Sequence, residues 1–114
     1  MKNKVFIGID VSKLVLDVFI LNKQFLFSVE NNPIGFSKLL EICCNKVSCK
    51  KSDLYFCFKN TGKSSRLLSV FLSDTGITYS QVPALDIKKS RGLTRGKSDK
   101  NDAKAIAFYA YRKR

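Results

Sequence analysis

The sequence of 114 residues contains no histidine, and none of its four cysteines forms a CxxC pair. The absence of histidine excludes Ser-His and Cys-His catalytic pairs, and it leaves a zinc site poorly supported. The longest apolar run, residues 14–21, is short and contains Asp17, so no membrane-spanning helix is predicted. The apolar stretch at the N-terminus reaches Asp10 too early for a signal peptide. We therefore expect a cytoplasmic protein with reduced thiols.

Acidic residues are also scarce. Twenty-one Lys and Arg face nine Asp and Glu, which gives a net charge of +12 and a pI near 9.8. Residues 88–114 alone hold ten of the cations and two aspartates, a net charge of +8. Such an excess favours polyanionic partners such as nucleic acid or an anionic membrane surface.

Hydrophobic residues make up 45% of the chain, enough for the core of one compact domain.

The periodicity of the apolar residues changes near residue 32. Before it, three β-type runs follow one another with short turns between them, which predicts an antiparallel meander. Asn32-Pro33 then signals a helix start, and later segments alternate between strand and helix patterns. The predicted elements are strands 4–11, 14–21 and 24–30, a helix from Pro33, a polar connection 47–53, a strand 54–58, a helix around 67–72 closed by Gly76, and a strand 77–82.

This β-β-β-α-β-α-β order predicts an α/β fold with a mixed five-stranded sheet and helices on its faces. We divide the chain into a core, 1–97, with a basic loop at 88–97, and a C-terminal helix, 98–114, within a single domain.

Asp10 is a carboxylate near the end of a strand whose other residues are apolar or glycine. Burying it beneath a helix is costly unless it is paired, hydrogen-bonded or bound to a metal. A capping role for the turn at Ser12-Lys13 explains it equally well.

Two further aspartates open the C-terminal helix. Asp99 and Asp102 are three residues apart, so they share one face, which Ala103 and Ile106 continue. Helix-dipole capping explains Asp99, but it explains Asp102 less well because that residue lies on the docking side. Together with Asp10 these carboxylates suit Mg²⁺ or Mn²⁺, which take oxygen ligands.

A basic, glycine-containing segment precedes these acids. Glycines between cations allow backbone to approach phosphate closely, so the segment favours nucleic-acid contact over a merely solvated loop. The candidate nucleic-acid-binding residues are Lys88, Lys89, Arg91, Arg95, Lys97 and Lys100.

Several short motifs are spread along the chain. They are GIDVSK at 8–13, LDV at 16–18, NTG at 60–62, SRGLTRGKSDKNDA at 90–103, and the pairs Ile106-Ala107 and Tyr109-Ala110. Together these motifs resemble the N-terminal domain of DEDD transposases of bacterial insertion sequences, the 110/1111 group. The motif at 90–103 is long and specific, whereas GIDVSK alone would be weak.

The resemblance implies an RNase H-like (RuvC-like) fold and four acids that bind divalent metal for DNA strand exchange. Asp10 matches the first acid, and Asp99 and Asp102 match the third and fourth. At the position of the second, normally Glu, this sequence has Lys59, which changes the local charge from −1 to +1. We therefore predict weakened or abolished binding of Mg²⁺ or Mn²⁺. A second hypothesis is that the Lys59 ammonium stands in for one cation.

The resemblance also implies DNA as partner, guide RNA in some members, and oligomers of full-length proteins. The serine-containing C-terminal domain of the family is absent from these 114 residues, so none of the serines here is assigned the nucleophile's role. We expect a piece or a truncated copy of a longer transposase.

Two hypotheses compete with an active recombination domain. One is a catalytically inactive nucleic-acid-binding remnant of the same fold. The other, an actin-like phosphotransferase, is disfavoured because its second phosphate loop is missing.

Overall fold

The computed structural model describes residues 4–59, 62–82 and 99–113, with side chains of the last segment from 102 to 112. Five strands form one mixed sheet in the order β3-β2-β1-β4-β5. β1 pairs antiparallel with β2 and parallel with β4; β2–β3 is antiparallel and β4–β5 parallel. The strands are β1 Val5–Val11, β2 Val15–Ile20, β3 Phe25–Glu30, β4 Leu54–Lys59 and β5 Thr78–Val82.

Within the described residues, three helices accompany the sheet: α1 Pro33–Val47, α2 Lys63–Asp74 and α3 Asp99–Lys113, with a short 3₁₀ turn at Lys51–Asp53. α1 begins as the sequence predicts, because Asn32 caps it by accepting a 2.8 Å hydrogen bond from the Gly35 N–H. α2 begins earlier than predicted, at Lys63, after Gly62 with φ of 68°.

Side-chain alternation in β1 directs its residues into two apolar layers, one on each face of the sheet. Val5, Ile7, Ile9 and Val11 face the main core, where α1 and α2 contribute Phe36, Leu39, Leu68 and Leu72. Phe6 and Gly8 lie on the opposite face, which α3 covers with Ala103, Ile106, Ala107 and Ala110. The predicted order of elements and the helices on both faces are confirmed.

The predicted basic loop, 88–97, lies outside the described residues. Across the described ranges, none of the helices combines the length and the apolarity needed to cross a lipid bilayer.

Candidate functional site

Asp10 lies on the α3 face of the sheet, near the end of β1. Its position follows from strand alternation, since it continues the face that begins with Phe6 and Gly8. Its side chain is 14% exposed. The strand therefore holds a carboxylate under the edge of a packed helix, where it needs a partner.

Gly8 sets how closely α3 approaches β1. A Cβ at this position would lie 2.9 Å from the Cα of Ala107 and would collide with the carbonyl oxygen of Ala103. The helix backbone thus rests directly on the strand, and Ala103 and Ala107 are fully buried there. Because Asp102 immediately precedes Ala103, this close approach brings the carboxylate of Asp102 towards that of Asp10.

Lys59 is the last residue of β4, which runs parallel to β1. Ile9 pairs with Phe58, so the next residues along the two strands, Asp10 and Lys59, lie side by side. The Lys59 Nζ lies 3.8 Å from Asp10 Oδ1 and 4.0 Å from Asp102 Oδ2. The side chains of Lys59 and Asp102 are 21% and 22% exposed. One ammonium group therefore bridges the acids of β1 and α3; we call these three residues the lysine-bridged acid site.

The arrangement does not fit a divalent cation. Mg²⁺ and Mn²⁺ are held by oxygen ligands, whereas here a cationic side chain already contacts an oxygen of each aspartate. Among the residues that the structure describes, no group of three or more His, Cys, Asp or Glu could hold a metal ion. The divalent metal that the sequence resemblance implies therefore conflicts with the positive charge that Lys59 places beside the two aspartates.

Of the three acids that the sequence predicts for the site, the structure brings two together. Asp10 and Asp102 meet at Lys59, whereas Asp99 opens α3 and its side chain is outside the described part. The role of all three acids in catalysis or metal binding stays a prediction.

A further acid was missed. Asp17 on β2 lies directly opposite Asp10 in the antiparallel β1–β2 pair, so both side chains are on the same face of the sheet. Its Oδ1 accepts a 2.6 Å hydrogen bond from the Ser28 hydroxyl of β3. The sequence signal for this residue was an aspartate between two apolar residues, Leu16 and Val18, which are buried. That it faces Asp10 depends on the register of β2 against β1.

Most of the predicted nucleic-acid-binding residues lie outside the described residues. One of the six, Lys100, lies in the first turn of α3, and its side chain is not among those described. The other five are outside the described residues: Lys88, Lys89, Arg91, Arg95 and Lys97. Their binding role stays a prediction.

The chain matches a known protein family. A family model described as a transposase, of the DEDD type of insertion sequence 110, matches residues 7–114. The match therefore includes Asp10, Lys59 and Asp102, and it covers the described strands and helices except the first two residues of β1. No curated protein matches the chain.

Proposed function

Since this chain belongs to the DEDD transposase family of insertion sequence 110, we propose that it is the N-terminal, catalytic-type domain of a transposase, in which nucleic-acid binding persists while metal-dependent strand exchange is impaired. The observation that carries the proposal is the bridge from Lys59 to both Asp10 and Asp102.

The bridge opposes metal binding in two ways. A metal that approaches Asp10 and Asp102 must first displace the ammonium group, and it then experiences repulsion from it. Two unit charges about 4 Å apart interact by about 4 kcal/mol at an effective dielectric of about 20. Solvent reaches about one fifth of the Lys59 side chain and reduces this figure, but its sign remains. We therefore assign Mg²⁺ or Mn²⁺ no step in the action of this chain.

Binding to DNA does not require the metal. The net charge of +12 attracts a polyanion, and two thirds of it lies in residues 88–114. The family makes DNA the expected partner, and a guide RNA presents the same phosphate chemistry. This combination favours the second function considered from the sequence, a catalytically inactive nucleic-acid-binding domain, over an active recombinase.

Calorimetric titration of Mn²⁺ into the wild-type chain, Lys59→Glu and Lys51→Glu tests the metal part. Lys51 is exposed in the 3₁₀ turn before β4, so its replacement makes the same change in net charge away from the acids. We expect Mn²⁺ binding in Lys59→Glu alone. Equal affinity of the wild type and Lys59→Glu would overturn the proposal.

Cleavage of duplex DNA tests the competing role of Lys59. Cleavage by the wild-type chain that is lost in Lys59→Ala would show that the ammonium replaces a catalytic cation, and the domain would then be active. We expect no cleavage by the wild-type chain, and DNA binding that weakens steeply as salt rises.

A further inference from the structure

A second polar surface lies at the same edge of the sheet as the lysine-bridged acid site, on the side of α2. It is a cavity of about 310 Å³, which we call the α2 groove. The described residues that line it are Gly62, Lys63, Ser65, Arg66, Ser69 and Gln81. They include two cations, two hydroxyl groups, an amide and no carboxylate.

The topology explains why these side chains meet. β4 and β5 are parallel, so both end at this edge, and Gln81 pairs with Phe58 on the face that α2 covers. Within α2, Lys63, Arg66 and Ser69 recur every third residue and therefore share one face. Lys63 and Arg66 are exposed, so their charged groups are accessible to a ligand.

The groove is polar within as well as cationic at its rim. Ser65 is 2% exposed, and its hydroxyl donates to the Gly62 carbonyl oxygen at 3.2 Å. The Ser69 hydroxyl donates to the Arg66 carbonyl oxygen at 2.8 Å. These internal hydrogen bonds hold the walls of the groove and leave recognition to the Lys63 and Arg66 side chains.

We propose that the α2 groove binds the phosphodiester backbone of a nucleic acid through Lys63 and Arg66. A guanidinium group matches phosphate with paired N–H donors, and an ammonium group adds a mobile positive charge. The proposal rests on the proposed function for the presence of a nucleic-acid partner. It adds a contact surface far in sequence from the basic segment at 88–97.

The α2 groove and the lysine-bridged acid site are close enough for one nucleic-acid strand to contact both. Lys63 follows Lys59 by four residues, so their Cα atoms are at most about 14 Å apart. The α2 groove lies on one side of the sheet edge, and the lysine-bridged acid site on the other. A phosphodiester backbone that crosses this edge would be held beside Asp10 and Asp102 whether or not these acids bind metal.

Fluorescence anisotropy with labelled duplex DNA, and with RNA of the same sequence, tests the groove in the full chain. The test variant is Lys63→Gln/Arg66→Gln. The matched control is Lys23→Gln/Lys51→Gln, which removes two exposed cations from the opposite edge, where β2 ends and β4 begins. Each titration is repeated across a range of salt concentrations.

We expect the test variant to bind at least about tenfold more weakly than the control, with a salt slope lower by about two units. A loss confined to RNA or to DNA identifies the source of the phosphodiester. If the wild type binds and the test variant behaves like the control, the groove proposal is wrong and the proposed function stands. If the wild type binds neither nucleic acid at low salt, both are wrong.

Discussion

Replacing Lys59 by Met should destabilise the fold. Methionine keeps much of the length of the side chain but removes the charge that bridges β1 to α3 at 3.8 and 4.0 Å. The carboxylates of Asp10 and Asp102 then lose a shared counter-charge, while Asp17 remains directly opposite Asp10 in the sheet. Mutual repulsion among these acids opposes the docking of α3.

The size of the effect lies between two known limits. Exposed ion pairs contribute about 0–1 kcal/mol, whereas removing one partner of a fully buried pair costs about 3–5 kcal/mol. The three side chains are 14–22% exposed, so they are closer to buried than to exposed. We expect Lys59→Met to lower the free energy of unfolding by about 1–3 kcal/mol, which lies between these limits.

Urea denaturation at neutral pH, followed by circular dichroism, measures this difference. Lys51→Met is the control, because removal of any lysine also relieves self-repulsion in a chain of net charge +12. Adding Asp102→Asn to Lys59→Met should recover part of the loss, and the double-mutant cycle gives the coupling energy. A Lys59→Met protein as stable as Lys51→Met would refute the reasoning.

Three further predictions concern helix packing, helix capping and the ionisation of buried thiols. Gly8→Ala should cost about 1–3 kcal/mol or more in unfolding free energy and raise amide hydrogen exchange in α3, because the added methyl collides with helix backbone; unchanged exchange would contradict this. Asn32→Ala should cost about 1 kcal/mol through loss of the cap on Gly35, with Asn32→Ser as the variant that restores it. Burial raises the pKa of the Cys43 and Cys57 thiols above the ordinary 9.0, so the unfolded chain loses these protons first and stability should fall as the pH rises past about 9. Urea midpoints at pH 8 and 10 should separate more for the wild type than for Cys57→Ala; an equal separation would contradict the assignment for that thiol.

The order of elements could be predicted because apolar periodicity records it directly. The change of period at Asn32-Pro33 marks where the meander ends, and the capping geometry agrees. Boundaries were predicted less well where the local signal was weak. α2 starts at Lys63 rather than near Leu67, since Gly62 precedes it and no side chain caps it. The stretch 47–53, predicted as a polar connection, contains the end of α1 and a 3₁₀ turn.

The candidate site was predictable in part. Helix periodicity places Asp102 on the docking face of α3, and Gly8 in β1 lets that face come close. The position of Asp17 opposite Asp10 depends on the register of β2 against β1, which turn residues alone do not specify. The α2 groove depends on β5 lying beside β4, because Gln81 reaches it only through that pairing.

The bridge made by Lys59 also has a genetic consequence. Codons for lysine and glutamate differ only in their first base, so one purine transition exchanges an ammonium for a carboxylate at the end of β4. A single nucleotide therefore separates a chain with a lysine between Asp10 and Asp102 from a chain with a third carboxylate there. Genes that differ at this one base would encode opposite charges at the end of β4, beside the same two aspartates.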